Sequence, residues 1–268
     1  EATGPGGVTV AMKFVRLDEN AAAKEARALE FMKYINHPHL MTHFGIWSDD
    51  DLLIIGMELA DGTLMRRLQD VQSADEVGIP FAELIEYMRE SAKGIDYLNE
   101  FQHTIDGKMN VSIAHRDIKP HNLLLFGGSV KVADFGLARI LERSVSGKSG
   151  GMTVAYAPPE FFQGEVTRTS DQYSLAATYC ELRGGDVPFT GTPMQMMAGH
   201  LTQHATLSTI PENERPVVAR ALAKNPKERW PSCREFVQEL ADSNSKGRKI
   251  VVRGPELPRL VRNSIGMQ

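Results

Sequence analysis

The feature that most constrains this chain's fold is a change of pattern near residue 60. Strand-forming segments crowd the first quarter, and helix-forming segments dominate afterwards. Residues 8–15 (VTVAMKFV) are apolar and β-branched and follow a turn signal at Gly4-Pro5-Gly6-Gly7. Residues 40–47 and 52–58 read as two further strands joined at Asp49-Asp50-Asp51. Between these and the first strand, a helix is predicted from about residue 19 to 35, carrying Leu29, Met32 and Ile35 and stopping at His37-Pro38. Beyond Asp61-Gly62, residues 82–100 place Leu84, Met88, Ala92, Ile95 and Leu98 on one helical stripe. Short strands follow around 123–126 and 130–133, then a polar Ser/Gly stretch at 144–151 and helical segments to about residue 241. Strands segregated from helices along a chain imply two packed lobes, here divided at residues 58–62. A length of 268 residues is enough to give them substantial cores.

The bulk composition narrows the class further. Hydrophobic and charged shares of 42% and 24% are those of an ordinary globular protein, and a net charge of −4 argues against nucleic-acid binding. From Asp242 onward, six bases against two acids give +4 and leave −8 for the body, so residues 242–268 read as a basic, solvated linker. Cys180 and Cys233 fall in apolar helical segments and are expected to be reduced core thiols of a cytoplasmic setting. No run approaches a membrane span, so contact with a membrane is expected only through regions outside this sequence.

The chemistry is concentrated in His115-Arg116-Asp117-Ile118-Lys119-Pro120-His121-Asn122 and, twelve residues past Asn122, in Asp134-Phe135-Gly136. These supply a carboxylate base, a cation and two hard-oxygen ligands on short loops flanking a strand pair. Phosphoryl transfer from a nucleotide needs that set, because the reaction is mostly positioning and charge neutralisation. Taken singly, Asp117 and Asn122 read as a polar turn, Asp134-Phe135-Gly136 as the end of a strand, and Lys13 as a solvated strand lysine. Together, with Pro158-Pro159-Glu160 downstream, the bland readings fail.

From about residue 8 to 240 these motifs resemble the eukaryotic-type (Hanks-type) serine/threonine protein kinases, and within them a bacterial member. The resemblance implies an α+β, two-lobed kinase fold, with a partial β-rich N-lobe at 1–60 and a helical C-lobe at 61–241. It implies ATP with Mg2+, or alternatively Mn2+, and protein substrates. Asp117 would orient or accept the proton of the attacking hydroxyl, and Lys119 would contact the γ-phosphate. Asn122 and Asp134 would bind the metal. Lys13, closing Val10-Ala11-Met12-Lys13, would contact the α- and β-phosphates and pair with a glutamate. Glu25, followed four residues on by Leu29, is preferred for that pairing to Glu30, although it lies about a turn further from His37-Pro38 than usual. Adenine would lie between Ala11 and Leu124, with Met57 limiting the depth of the pocket and Glu58 and Ala60 offering backbone groups.

By the same resemblance, Glu160 should pair with Arg229, Asp171 should receive hydrogen bonds from the catalytic-loop backbone, and Thr153 should line the acceptor pocket. Arg116 and Arg139 match positions that clamp a phosphorylated loop, with Ser149 the matching phosphosite and Ser146 and Ser144 in reserve.

The pattern also departs from the family. Gly4-Pro5-Gly6-Gly7 lies too close to Lys13 to be the phosphate-covering loop. It reads as a hairpin turn, and the N-lobe is expected to be truncated at its start. His43 stands where an apolar residue is usual, as either a satisfied core histidine or a sign of shifted register. Residues 101–113 are expected to expand a surface loop. Two rival readings are a pseudokinase scaffold, which has no need for all of Lys13, Asp117, Asn122 and Asp134, and a small-molecule kinase, which Lys119, Thr153 and Pro159-Glu160 disfavour.

Overall fold

The computed structural model describes residues 1–3, 7–17, 26, 30–105, 108–135 and 153–245. The β-rich part is a four-stranded antiparallel sheet in the order β1-β2-β4-β3, formed by Ala2–Thr3, Thr9–Arg16, Leu52–Met57 and His43–Asp49. Thr3 pairs with Thr9 and Ala2 with Val10, antiparallel. Alternation along β2 puts Phe14 outward, in one cross-strand row with Ile54 and Trp47. Lys13 consequently points to the other face, toward the helical lobe. Of the helix predicted over 19–35, the described parts are Ala26, which is α-helical, and a 3-10 turn at Glu30–Tyr34 with Met32 fully buried.

The predicted third strand begins late, at His43. Leu40 and Met41 join a different partner: Leu40 bridges Val132 in parallel, and Met41 N donates to Val132 O at 2.9 Å. Leu40 and Met41 are as apolar as the strand residues that follow, so nothing local marks the switch of partner. This bridge ties the small sheet to a second one, of β5 (Gly62–Thr63), β8 (Leu123–Phe126) and β9 (Ser129–Val132).

The helical lobe follows, with α1 at Leu64–Gln72, α2 at Phe81–Asn99, α3 at Ser170–Gly184, α4 at Pro193–Thr202, α5 at Arg215–Ala221 and α6 at Cys233–Ser245. The predicted stripe of α2 is buried and packs on α6 and β9. Gly94 on that helix is needed for close approach, since a Cβ there would sit 2.5 Å from the carbonyl oxygen of His39. Helix α3 is buried on nearly all sides, which explains why its apolar residues show no single stripe. Cys180 and Cys233 are free and buried, and burial pushes both thiols up, as suits inert core cysteines. The expected loop at 101–113 instead holds a two-stranded hairpin, β6 (His103–Ile105) and β7 (Lys108–Val111). No helix among the described residues is long and apolar enough to cross a membrane.

Glu160 and Arg229 form a buried two-pronged pair at 2.7 and 2.8 Å, and Ser170 adds a 2.7 Å bond to the carboxylate. These donors hold Glu160 below the usual carboxylate range against the opposing effect of burial. Replacing Arg229 by Met should cost about 3–5 kcal/mol, because it strands a buried carboxylate. Urea unfolding of the variant beside the parent protein measures this, and a loss under about 1 kcal/mol would contradict it.

Candidate active site

The loop at residues 115–122 is built on Asp171, in the first turn of α3 and inaccessible to solvent. Its carboxylate accepts from His115 N at 2.8 Å, Arg116 N at 2.9 Å and Asn99 Nδ2 at 3.2 Å. The expected backbone bonds are thus present. They stabilise a left-handed Arg116 (φ 69°), a conformation a non-glycine residue adopts only when its surroundings hold it. Asp117 N donates to His115 Nδ1 at 3.3 Å, so that nitrogen is the acceptor and Nε2 carries the hydrogen. His115 Nε2 then donates to Ala133 O at 2.7 Å, fixing the residue just before Asp134.

Asp117, Lys119, Asn122 and Thr153 form one polar network. Lys119 Nζ lies 2.7 Å from Asp117 Oδ2 and donates to Thr153 Oγ1 at 2.9 Å. The Thr153 hydroxyl donates to Asp117 Oδ1 at 3.1 Å. Asn122 Nδ2 donates to the Asp117 carbonyl and carboxylate at 2.7 and 2.9 Å, which turns its own Oδ1 away for another partner.

Across the cleft, Lys13 Nζ donates to Asp134 Oδ2 at 2.6 Å. Lys13 therefore has an aspartate from the other lobe as its described partner. The glutamate proposed for it, Glu25, lies outside the described residues, as do Arg139, Ser144, Ser146 and Ser149. Glu30 opens the 3-10 turn before His37.

The residues expected to wall a purine lie on separate sheets. Ala11 on β2 faces Met57 in register, and Leu124 on β8 is half-buried. Glu58 N already donates to Thr42 O at 3.2 Å, so the backbone group Glu58 could present is its carbonyl. The Glu58 side chain was missed by sequence reading: its carboxylate binds Lys131, 73 residues away, and no local spacing signals such a pair. Tyr156 was missed too. Its hydroxyl donates to Glu181 Oε2 on α3 at 2.6 Å, locking the turn after Thr153 onto the central helix.

With this geometry in view, the sequence profile of the protein kinase domain matches residues 4–251. The chain belongs to the protein kinase family. Serine/threonine-protein kinase PknF of Mycobacterium tuberculosis is 29% identical to this kinase domain over 95% of the chain and 57% of PknF. Serine/threonine-protein kinase PrkC of Bacillus subtilis is 27% identical over 86% of the chain and 36% of PrkC. The chain thus spans about half or less of the length of these relatives. In fold it is similar to the crystal structure of the PknI kinase domain of Mycobacterium tuberculosis, with a TM-score of 0.66 and 24% identity over 90% of this chain and 87% of that one.

Of the two readings offered for His43, a satisfied core histidine or a shifted register, the first does not hold; a register irregularity does lie between His43 and Gly45. His43 is buried, packs edge-on against Phe135 at 5.2 Å between ring centroids, and among the described residues neither ring nitrogen has a hydrogen-bond partner. Burial lowers its pKa to about 4, below the ordinary value of about 6.5. The unfolded chain therefore takes up the proton first as pH falls, and stability complete above about pH 6.5 is lost progressively toward pH 4. His200, also buried and lowered to about 4, acts in the same sense. His43→Leu should raise the melting temperature at pH 7 by about 2–4 °C, the effect of relieving about 1 kcal/mol of unpaired polar burial. It should also flatten the loss of stability between pH 6.5 and 4. Thermal melts at several pH values read both effects, and a variant less stable than the parent at pH 7 would contradict the cost assigned to the ring.

Proposed function

We propose that this domain catalyses transfer of the γ-phosphoryl group of ATP to serine and threonine hydroxyls of proteins. The observation that carries this is the Asp117–Lys119–Thr153 network, in which Asp117 already accepts a hydrogen bond from a hydroxyl beside an ammonium group. An acceptor side chain replacing the Thr153 hydroxyl would have its proton drawn by Asp117, raising its nucleophilicity. Lys119 would neutralise charge on the moving phosphoryl group, and Lys13 would hold the α- and β-phosphates with Glu25 as its support. Ala11 and Leu124 would sandwich the adenine, with Met57 at the back and the backbone of Glu58 and Ala60 at its edge.

The donor set suits a hard divalent cation shared with phosphates. Among the described residues Asn122 Oδ1 is uncommitted and the Asp134 carboxylate is held by Lys13 alone. Asn122 and Asp134 would hold Mg2+, or alternatively Mn2+. When bound, the ion supplies charge neutralisation between the nucleotide phosphates. The serine/threonine kinases similar to this chain support a protein acceptor, and self-phosphorylation at Ser149, Ser146 or Ser144 follows from the same chemistry. The expected setting is cytoplasmic, either free or as the cytoplasmic part of an anchored protein, with no nucleic-acid partner.

The test is mass-spectrometric phosphate incorporation from ATP and Mg2+ in the full-length protein and a generic protein acceptor. Phosphoserine or phosphothreonine should appear in the parent and be absent from Asp134→Ala. Asp117→Asn should slow turnover by about 10²–10⁴-fold, the usual worth of a positioned base. No incorporation by a folded, nucleotide-binding parent would favour the pseudokinase, and phosphorylation of a sugar or aminoglycoside in a substrate panel would favour the small-molecule kinase.

A further inference from the structure

Three separate chain segments meet at the Glu58 carboxylate. Oε1 accepts from Thr42 N at 2.7 Å, and Lys131 Nζ reaches Oε1 at 2.8 Å and Oε2 at 2.7 Å. Glu58 N in turn donates to Thr42 O at 3.2 Å, so Glu58 and Thr42 clasp each other through backbone and side chain. Thr42 directly precedes β3 of the small sheet, Glu58 begins the connection between lobes, and Lys131 lies on β9 of the large lobe. The side chains of Glu58 and Lys131 are only about one-fifth exposed (20% and 21%), so water screens the pair less than an exposed one.

This contact extends an existing ladder. Val132 N donates to His39 O at 3.0 Å and Met41 N to Val132 O at 2.9 Å, joining residues 39–41 to β9. One step further along, the Glu58 carboxylate takes over from backbone carbonyls as the acceptor and carries the join across to Lys131. Two residues beyond the end of β9 stands Asp134, itself in a left-handed conformation (φ 62°). The backbone of Glu58 itself and that of Ala60 are the groups proposed to meet the adenine. The carboxylate thus sets the spacing between the two ends of a nucleotide site while touching neither.

We propose that Glu58 and Lys131 are positioning residues: their ion pair holds the interlobe connection and the Asp134 turn in register for one nucleotide to reach both. Resting on the proposed kinase activity, this assigns to the Glu58 side chain a role separate from that of its backbone. Lysine is suited to the task because its ammonium group can span both carboxylate oxygens while Thr42 N holds one of them. Phe126 supports the geometry from the other side, with Lys131 Nζ 4.9 Å from its ring centroid.

A double-mutant cycle in the full-length protein tests this, using Lys131→Met, Glu58→Gln and the pair together, with Lys131→Arg as the conservative control. Titration with a fluorescent ATP analogue in Mg2+ reads nucleotide affinity, steady-state kinetics reads KM and kcat, and thermal melts confirm folding. Each single change should weaken nucleotide affinity and raise KM for ATP about fivefold, the scale of a partly screened ion pair. The double variant should be no worse than either single one, and Lys131→Arg should stay close to the parent. In Lys131→Met, kcat should remain within about twofold of the parent. Unchanged affinity in the single variants, or losses that multiply in the double variant, would overturn the proposal. Absence of phosphate transfer in the parent would count against the assigned reaction alone, since the binding titration still answers for the ion pair.

Discussion

The site depends on one buried carboxylate. Asp171 is out of contact with solvent, and three donors compensate its desolvation. Two of those donors are consecutive backbone amides of the loop at residues 115–122, so satisfying the charge and shaping the loop are one event. A left-handed Arg116 costs on the order of 1–3 kcal/mol in isolation, and the bond from its amide to Asp171 helps to offset it. Because α3 is surrounded by core, its first turn is a fixed point from which His115 can reach Ala133 and so set Asp134. The order of dependence therefore runs from core helix to loop backbone to cleft side chains.

What could be read in the sequence follows from the range of the interactions involved. Alternation fixed which face of β2 carries Lys13, and helical spacing fixed the buried stripe of α2, because both are properties of neighbours along the chain. The motif spacing and the family resemblance singled out Asp117, Lys119, Asn122 and Thr153, which the fold joins in one polar network, and Asp134, which it pairs with Lys13. Pairings decided by tertiary contact were harder. Leu40 and Met41 look like strand residues in any local window, and only the position of Val132 recruits them to the other sheet. The hairpin at 103–111 carries an Asp106-Gly107 turn signal, but its strands of three and four residues are too short to show alternation. Glu58 and Lys131 are ordinary charged residues until β9 and the interlobe connection are brought together.

His43 shows a local rule failing in an informative way. A polar ring occupies a buried place against Phe135 without hydrogen bonds to stabilise it, directly opposite Met57 in the sheet register. The surrounding apolar packing is extensive enough to tolerate that cost, as Ile55, Leu53 and Met41 are almost wholly withdrawn from water. The stability of the small lobe is thus concentrated in its aliphatic layer and not spread evenly over its side chains.

The self-pairing of the cleft's charges has a consequence for ligand selection. Lys13 is matched to Asp134 and Lys119 to Asp117, so among the described residues these four charges face an incoming ligand already paired. A polyphosphate arriving alone and drawing Lys13 to itself would leave Asp134 an uncompensated anion beside further negative charge. A divalent ion arriving alone and engaging Asp134 would leave the Lys13 ammonium without its counter-ion. Only the two together exchange both halves of the pair for new partners of opposite sign. On the proposed function, the arrangement would act as a coincidence requirement: it would disfavour free nucleotide and free metal alike, and admit their complex by exchanging the one Lys13–Asp134 pair for two new ones.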